Sequence, residues 1–133
     1  LFNTGVYSEL TIPGPLLPDN LASTTTKLAG IVFGRSVIVT AAYLSKMTTL
    51  ETVSLNPTVK LYRQASWASA TATCFASFEI SKTITTQIIN KYLAFTLAAA
   101  KTFSATQMLT VRSNKERANG KSIHGIIVRY KEK

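Results

Sequence analysis

The side chains able to do covalent or acid–base chemistry are few. Cys74 is the sole cysteine and His124 the sole histidine. Neither an intrachain disulfide, a zinc site of several cysteines, nor a triad or metal site of several imidazoles can be assembled from them. A Cys74–His124 nucleophile pair would need the thiol on an exposed elbow beside its base. The sequence instead sets Cys74 mid-strand among small residues, where a plain buried cysteine is expected, and His124 reads as a surface or hairpin histidine. The six acids, Glu9, Asp19, Glu51, Glu79, Glu116 and Glu132, form no carboxylate pair along the chain. Gly120-Lys121-Ser122 has the ending of a phosphate-binding loop, but the position where that motif requires its first glycine is Lys115, and no helix is expected to follow. The expectation is a protein that is not an enzyme and carries no cofactor or metal.

The chemistry left is that of charge. Fifteen Lys and Arg against six acids give a formal charge of +9, and the excess is uneven. Arg112, Lys115, Arg117, Lys121, Arg129, Lys131 and Lys133 crowd the end of the chain, opposed there by Glu116 and Glu132. Such a patch attracts nucleic acid, an acidic membrane surface or an acidic partner; the plain alternative is a solvated surface that keeps the protein soluble. These seven residues are the candidate nucleic-acid contacts, with Lys27 and Arg35 behind them.

The elements that must position these residues read as strands. From Ala68 to Ile80 the chain alternates, with Ala68, Ala70, Ala72, Cys74, Ala76, Phe78 and Ile80 on one face and Ser69, Thr71, Thr73, Phe75, Ser77 and Glu79 on the other. That period of two predicts a strand whose small apolar face lets another layer come close. Ile31 to Tyr43 is a second strand, interrupted at Gly34-Arg35 by a bulge or a tight turn. Tyr43 to Leu50 reads as a short helix, Thr52 to Leu55 as a short strand, Asn56-Pro57 as a turn, and Thr58 to Gln64 as one or two helical turns. Thr83 to Leu97 is either two strands or one long one. Thr106 to Arg112 and Ser122 to Tyr130 complete the set, joined by a charged loop with Asn119-Gly120, a strong hairpin signal.

Six to eight short strands with turns between them predict an all-β sandwich or barrel. At 133 residues, 46% of them hydrophobic and only 16% charged, the chain is expected to fold around one core. Residues 30–133 form that sandwich domain. Residues 1–29, with Pro13, Pro15, Pro18 and a Ser-Thr-Thr-Thr tract, read as an extended arm or edge segment. The arm either reaches a neighbouring subunit or lies on its own domain. The longest apolar run, Tyr92 to Ala100, falls short of the roughly 20 residues that span a bilayer. No Asn-X-Ser/Thr sequon occurs. Leu1 in place of an initiator Met is read as a start inside a longer product or after processing.

Two segments resemble a known pattern. Lys60-Leu61-Tyr62-Arg63-Gln64-Ala65-Ser66 leads into the Ala/Thr strand; Tyr92-Leu93-Ala94-Phe95 and Ala105-Thr106-Gln107-Met108-Leu109-Thr110-Val111 follow. In that order, over about residues 57–111, they resemble the coat proteins of tymoviruses and related small icosahedral RNA viruses. The resemblance implies a jelly-roll β-sandwich whose copies close an icosahedral shell around single-stranded RNA; the short length suits a satellite-virus-like coat protein. It also implies location in the virion and, during assembly, in the host cytoplasm. The family keeps a proline after the aromatic strand where this chain has Thr96-Leu97, and it continues through further strands where this one ends at Lys133. The expected fold is therefore all-β and jelly-roll-like, either complete or lacking strands, with one or two short helices. The expected partners are many copies of the chain itself and single-stranded RNA, met by phosphate neutralisation. The rival readings are a matrix-type viral structural protein on an acidic membrane and a non-enzymatic nucleic-acid-binding β-barrel, which needs exposed aromatics on a sheet face.

Overall fold

The computed structural model describes residues 7–13, 26–49, 58–79, 88–98, 101–113 and 121–133. Among them run ten strands and no helix: β1 Ser8–Pro13, β2 Thr26–Val32, β3 Val37–Thr49, β4 Thr58–Gln64, β5 Ala72–Glu79, β6 Ile88–Ala94, β7 Thr96–Leu97, β8 Lys101–Phe103, β9 Met108–Ser113 and β10 Lys121–Glu132. They form two antiparallel sheets. One has the order β1-β10-β3-β6, with β8 also on β3; the other has the order β2-β9-β4-β5-β7.

Four pairings explain that order. β1 pairs with β10, β2 with β9, β3 with β6 and β4 with β5. These are nested pairs, as in one long hairpin. Rolling the hairpin brings β10 against β3 and β9 against β4, which closes the two sheets. The result is a jelly-roll β-sandwich with its full set of eight main strands. The two faces that meet bury Val37, Val39, Leu44, Ile126 and Val128 of one sheet against Val59, Leu61, Leu109 and Val111 of the other. At one side of this core Phe33, Phe75, Phe103 and Tyr130 pack edge to face or tilted, with ring centroids 4.9–5.6 Å apart.

Several expectations change. Of Tyr43 to Leu50, read as a short helix, the described part to Thr49 continues strand β3, which is paired along its length by β10 and on its other side by β6 and β8. Thr58 to Gln64, read as helical turns, is β4, central in its sheet between β5 and β9. In both, pairing on two sides outweighs local propensity. Residues 8–13 and 26–29, expected in an extended arm or edge segment outside the core, are strand. Ser8–Pro13 is an edge strand, which accommodates Pro13 at its last pair opposite Gly125, and its Ile12 is 3% exposed in the core.

The alternation of residues 68–80 also breaks. The strand begins at Ala72, and its register against β4 shifts between Ala76 and Cys74, opposite Leu61 and Tyr62. Phe75 is the extra residue of that bulge. Phe75 and Ala76 therefore both face the core, at 1% and 2% exposure, and Cys74 is exposed rather than buried. Gly34, at φ 77°, makes the turn by which the chain leaves β2 for β3 in the other sheet.

Candidate functional site

The basic residues do not share a hairpin. β9 and β10, which flank the Asn119-Gly120 link, belong to different sheets. The expected hairpin pairing is overridden because β9 finds β2 and β4 while β10 finds β1 and β3. Arg112 and Arg129 consequently lie on opposite outer faces of the sandwich.

On the outer face of the β2-β9-β4-β5 sheet, Arg112 belongs to a network centred on Gln64. Val59 and Leu61 point to the core, so the alternate residues Lys60, Tyr62 and Gln64 point out. Gln64 Nε2 donates to the carbonyls of Ser66 (2.5 Å) and Trp67 (3.2 Å). Its Oε1 accepts from Thr110 Oγ1 (3.0 Å) and from Arg112 Nη2. All four hydrogen-bonding positions of the amide are thus used, which fixes its orientation. The Arg112 guanidinium also lies over the Tyr62 ring, 4.4 Å from its centroid. Gln64 is 3% exposed and Thr110 fully buried although both face outward, because the loop of residues 65–71 folds over them. Gly30 permits that cover: a Cβ there would stand 3.0 Å from two Trp67 ring carbons and from Met108 Sδ.

On the outer face of the other sheet, Arg129 sits between strands that flank it. Its Nε donates to Glu9 Oε2 at 2.5 Å. Its guanidinium lies 4.4 Å from the Tyr7 ring centroid and 4.9 Å from that of Tyr43. Glu9 is its direct cross-strand partner. The hydrogen bond that Arg129 donates to Glu9 raises the Arg129 pKa above its ordinary value; desolvation opposes this, and the fields of Tyr43, Tyr7 and Glu9 add to it.

The other candidates are placed as follows. Lys131 and Lys133 are exposed beside the last pairs of β10, where Arg35 pairs with Glu132 at 2.8 Å. Lys121 opens β10, paired with Thr49, at the opposite end of the sandwich. Lys115 and Arg117 lie outside the described residues, as do the Asn119-Gly120 turn, the Thr52–Leu55 strand and the Asn56-Pro57 turn. His124 falls in β10 between register shifts. Among the described residues no group of three or more His, Cys, Asp or Glu converges. Phe75, the aromatic expected on a polar sheet face, is in the core.

Sequence reasoning missed Gln64, Tyr62 and Trp67 on one face and Tyr7, Glu9 and Tyr43 on the other. For the first group a signal existed, since Val59-Lys60-Leu61-Tyr62 alternates with period two. Nothing in the sequence joins Glu9 to Arg129, 120 positions apart.

No family model and no curated protein matches this chain. Among solved structures, that of an Eiger TNF from S. frugiperda is similar over 94% of this chain and 85% of that one, with 14% identity and a TM-score of 0.41.

Proposed function

We propose that the protein is a viral coat protein whose copies assemble into an icosahedral shell and package single-stranded RNA through a basic surface. The observation that carries the reading is the complete set of nested strand pairs in so short a chain, a jelly roll of the kind that builds capsids among other proteins. The +9 charge supports an anionic cargo. A fold does not by itself assign a function, so the placement of charge gives the reading its residues. Arg112 and Arg129 are already engaged by Gln64 and Glu9. The RNA contact accordingly falls to Lys131 and Lys133, to Lys121 at the opposite end, and to Lys115 and Arg117 in the same stretch of sequence as Lys121. The shell would form in the host cytoplasm and remain in the virion.

Electron microscopy and sedimentation of the purified protein, with and without RNA, test assembly. Closed particles of uniform size are expected; a monomer at every concentration and salt overturns the reading. Replacing Lys115, Arg117 and Lys121 together by Gln should weaken RNA binding. The slope of log affinity against log salt should fall by about 0.7 for each lost phosphate contact. Flotation on acidic vesicles with no RNA retention would instead favour the matrix-type reading.

A further inference from the structure

We propose that the open end of the sandwich beside β4 and β5 holds a small binding site for an acidic sugar, a ring of hydroxyls bearing one oxyanion, and that this site is independent of shell assembly. A cavity of about 260 Å³ is lined there by Arg63, Gln64, Ser69, Thr71, Thr73 and Gln107 with two alanines. Its lining carries one charge, the Arg63 guanidinium, and no carboxylate.

Arg63 is half-buried, and among the described residues it forms no ion pair. Its Nη1 donates to the Thr102 carbonyl at 2.9 Å, across to the other sheet. That bond anchors the guanidinium but supplies no counter-charge. Partly buried cations are ordinarily matched by an anion, and this one borders a cavity open to solvent. Thr73 is the cross-strand partner of Arg63 and lines the same cavity, so a hydroxyl is added to the wall that Arg63 forms. Gln107 Oε1 accepts from the Ser104 amide, which orients its NH2 as a donor. Ser69 Oγ donates to the Thr71 carbonyl, leaving its lone pairs as acceptors. The lining therefore offers a cation for an oxyanion and both donors and acceptors for hydroxyls. Its volume lies below the roughly 300–1,000 Å³ of sites for drug-sized ligands, which suits a single sugar ring.

The anion is either a phosphate or a carboxylate, and the test separates them. Trp67 is the sole tryptophan and sits in the loop that carries Ser69 and Thr71, with its carbonyl held by Gln64. Its fluorescence therefore reports on the loop that forms one wall of the site, and isothermal titration calorimetry measures the binding itself. The full chain is titrated with ribose 5-phosphate, glucuronate, ribose and inorganic phosphate at constant ionic strength. Saturable binding of one or both acidic sugars is expected, with a dissociation constant on the order of a millimolar, and none of ribose. Whichever acid binds names the anion. Arg63→Gln should weaken binding about tenfold or more.

Because Arg63 also ties the sheets together, a second variant is included. Thr71→Val with Thr73→Val keeps the guanidinium, and should weaken the acidic sugar severalfold while leaving inorganic phosphate unaffected. Equal responses to ribose and the acidic sugars overturn the proposal. So does undiminished binding in a folded Arg63→Gln protein, or in the double threonine variant where Arg63→Gln does not fold.

Discussion

The two outer faces of the sandwich hold an arginine in opposite ways. On the β4–β9 face Arg112 bonds a neutral amide that a loop has covered; on the β1–β10 face Arg129 bonds a carboxylate in a partly open cage, with side-chain exposures of 26% for Arg129 and 34% for Glu9. Arg112 is held by the Gln64 amide oxygen and the Tyr62 π-face, and its buried Nε has no hydrogen-bond partner among the described residues. What makes that face costly to disturb is its burial. Polar groups cut off from water cost much when a partner is removed, whereas solvent takes over readily at a half-open ion pair.

The comparison is broken most forcefully at Gln64. Gln64→Ala removes the acceptor of Thr110 and Arg112 together and should cost about 3 kcal/mol in urea unfolding; a loss no larger than at an exposed site would show that water already reaches the network. Next comes the cover itself. Gly30→Ala places a methyl 3.0 Å from the Trp67 ring and Met108. The loop should lift, with a red shift in Trp67 fluorescence and a loss of roughly 1–2 kcal/mol. An unchanged spectrum would mean that Trp67 and Met108 accommodate the methyl in place.

On the open face, Glu9→Gln should cost less than either. Its pH dependence sharpens the contrast. The Arg129 pKa is raised in the folded state, so the stabilisation that shift represents is fully present below the ordinary arginine value. It is lost only as pH rises through the raised one. The difference between Glu9→Gln and the unaltered protein should therefore stay flat from about pH 7 to about pH 9, as followed by urea midpoints. A difference that disappears within that window would place the stabilisation in another group. The smallest effect belongs to Lys131→Gln with Lys133→Gln, both exposed and within about 0.5 kcal/mol of the unaltered protein. Under the proposed function, only the salt dependence of RNA binding should move.

Much of the fold was legible in the chain. β-branched and aromatic runs located the end of β2, the first half of β3, and β9 and β10, and Gly34 marked the turn between β2 and β3. Two kinds of error arose. At Tyr43–Leu50 and Thr58–Gln64 local propensity is weak, and the decision lay with partners far along the chain. At Phe75 the pattern itself misled. An alternation read as unbroken places Phe75 outside and Cys74 inside, and a single bulged residue reverses both. A bulge is a property of a pair of strands, and one strand's sequence does not display it.

The sequence by itself determined that the protein is all-β, strongly basic and without an intrachain disulfide, because strand propensity, charge and cysteine count are local or additive quantities. It also determined which residues could serve as cations. Only the tertiary structure decided what those cations do. Arg112 and Arg129 stand 17 positions apart and were read as one patch, yet β9 and β10 join different sheets and send them to opposite faces. Their partners, Gln64 and Glu9, come from 48 and 120 positions away. Such neighbours are set by the nested closure of the whole hairpin, in which every pairing depends on the others, and no local stretch of residues contains that information.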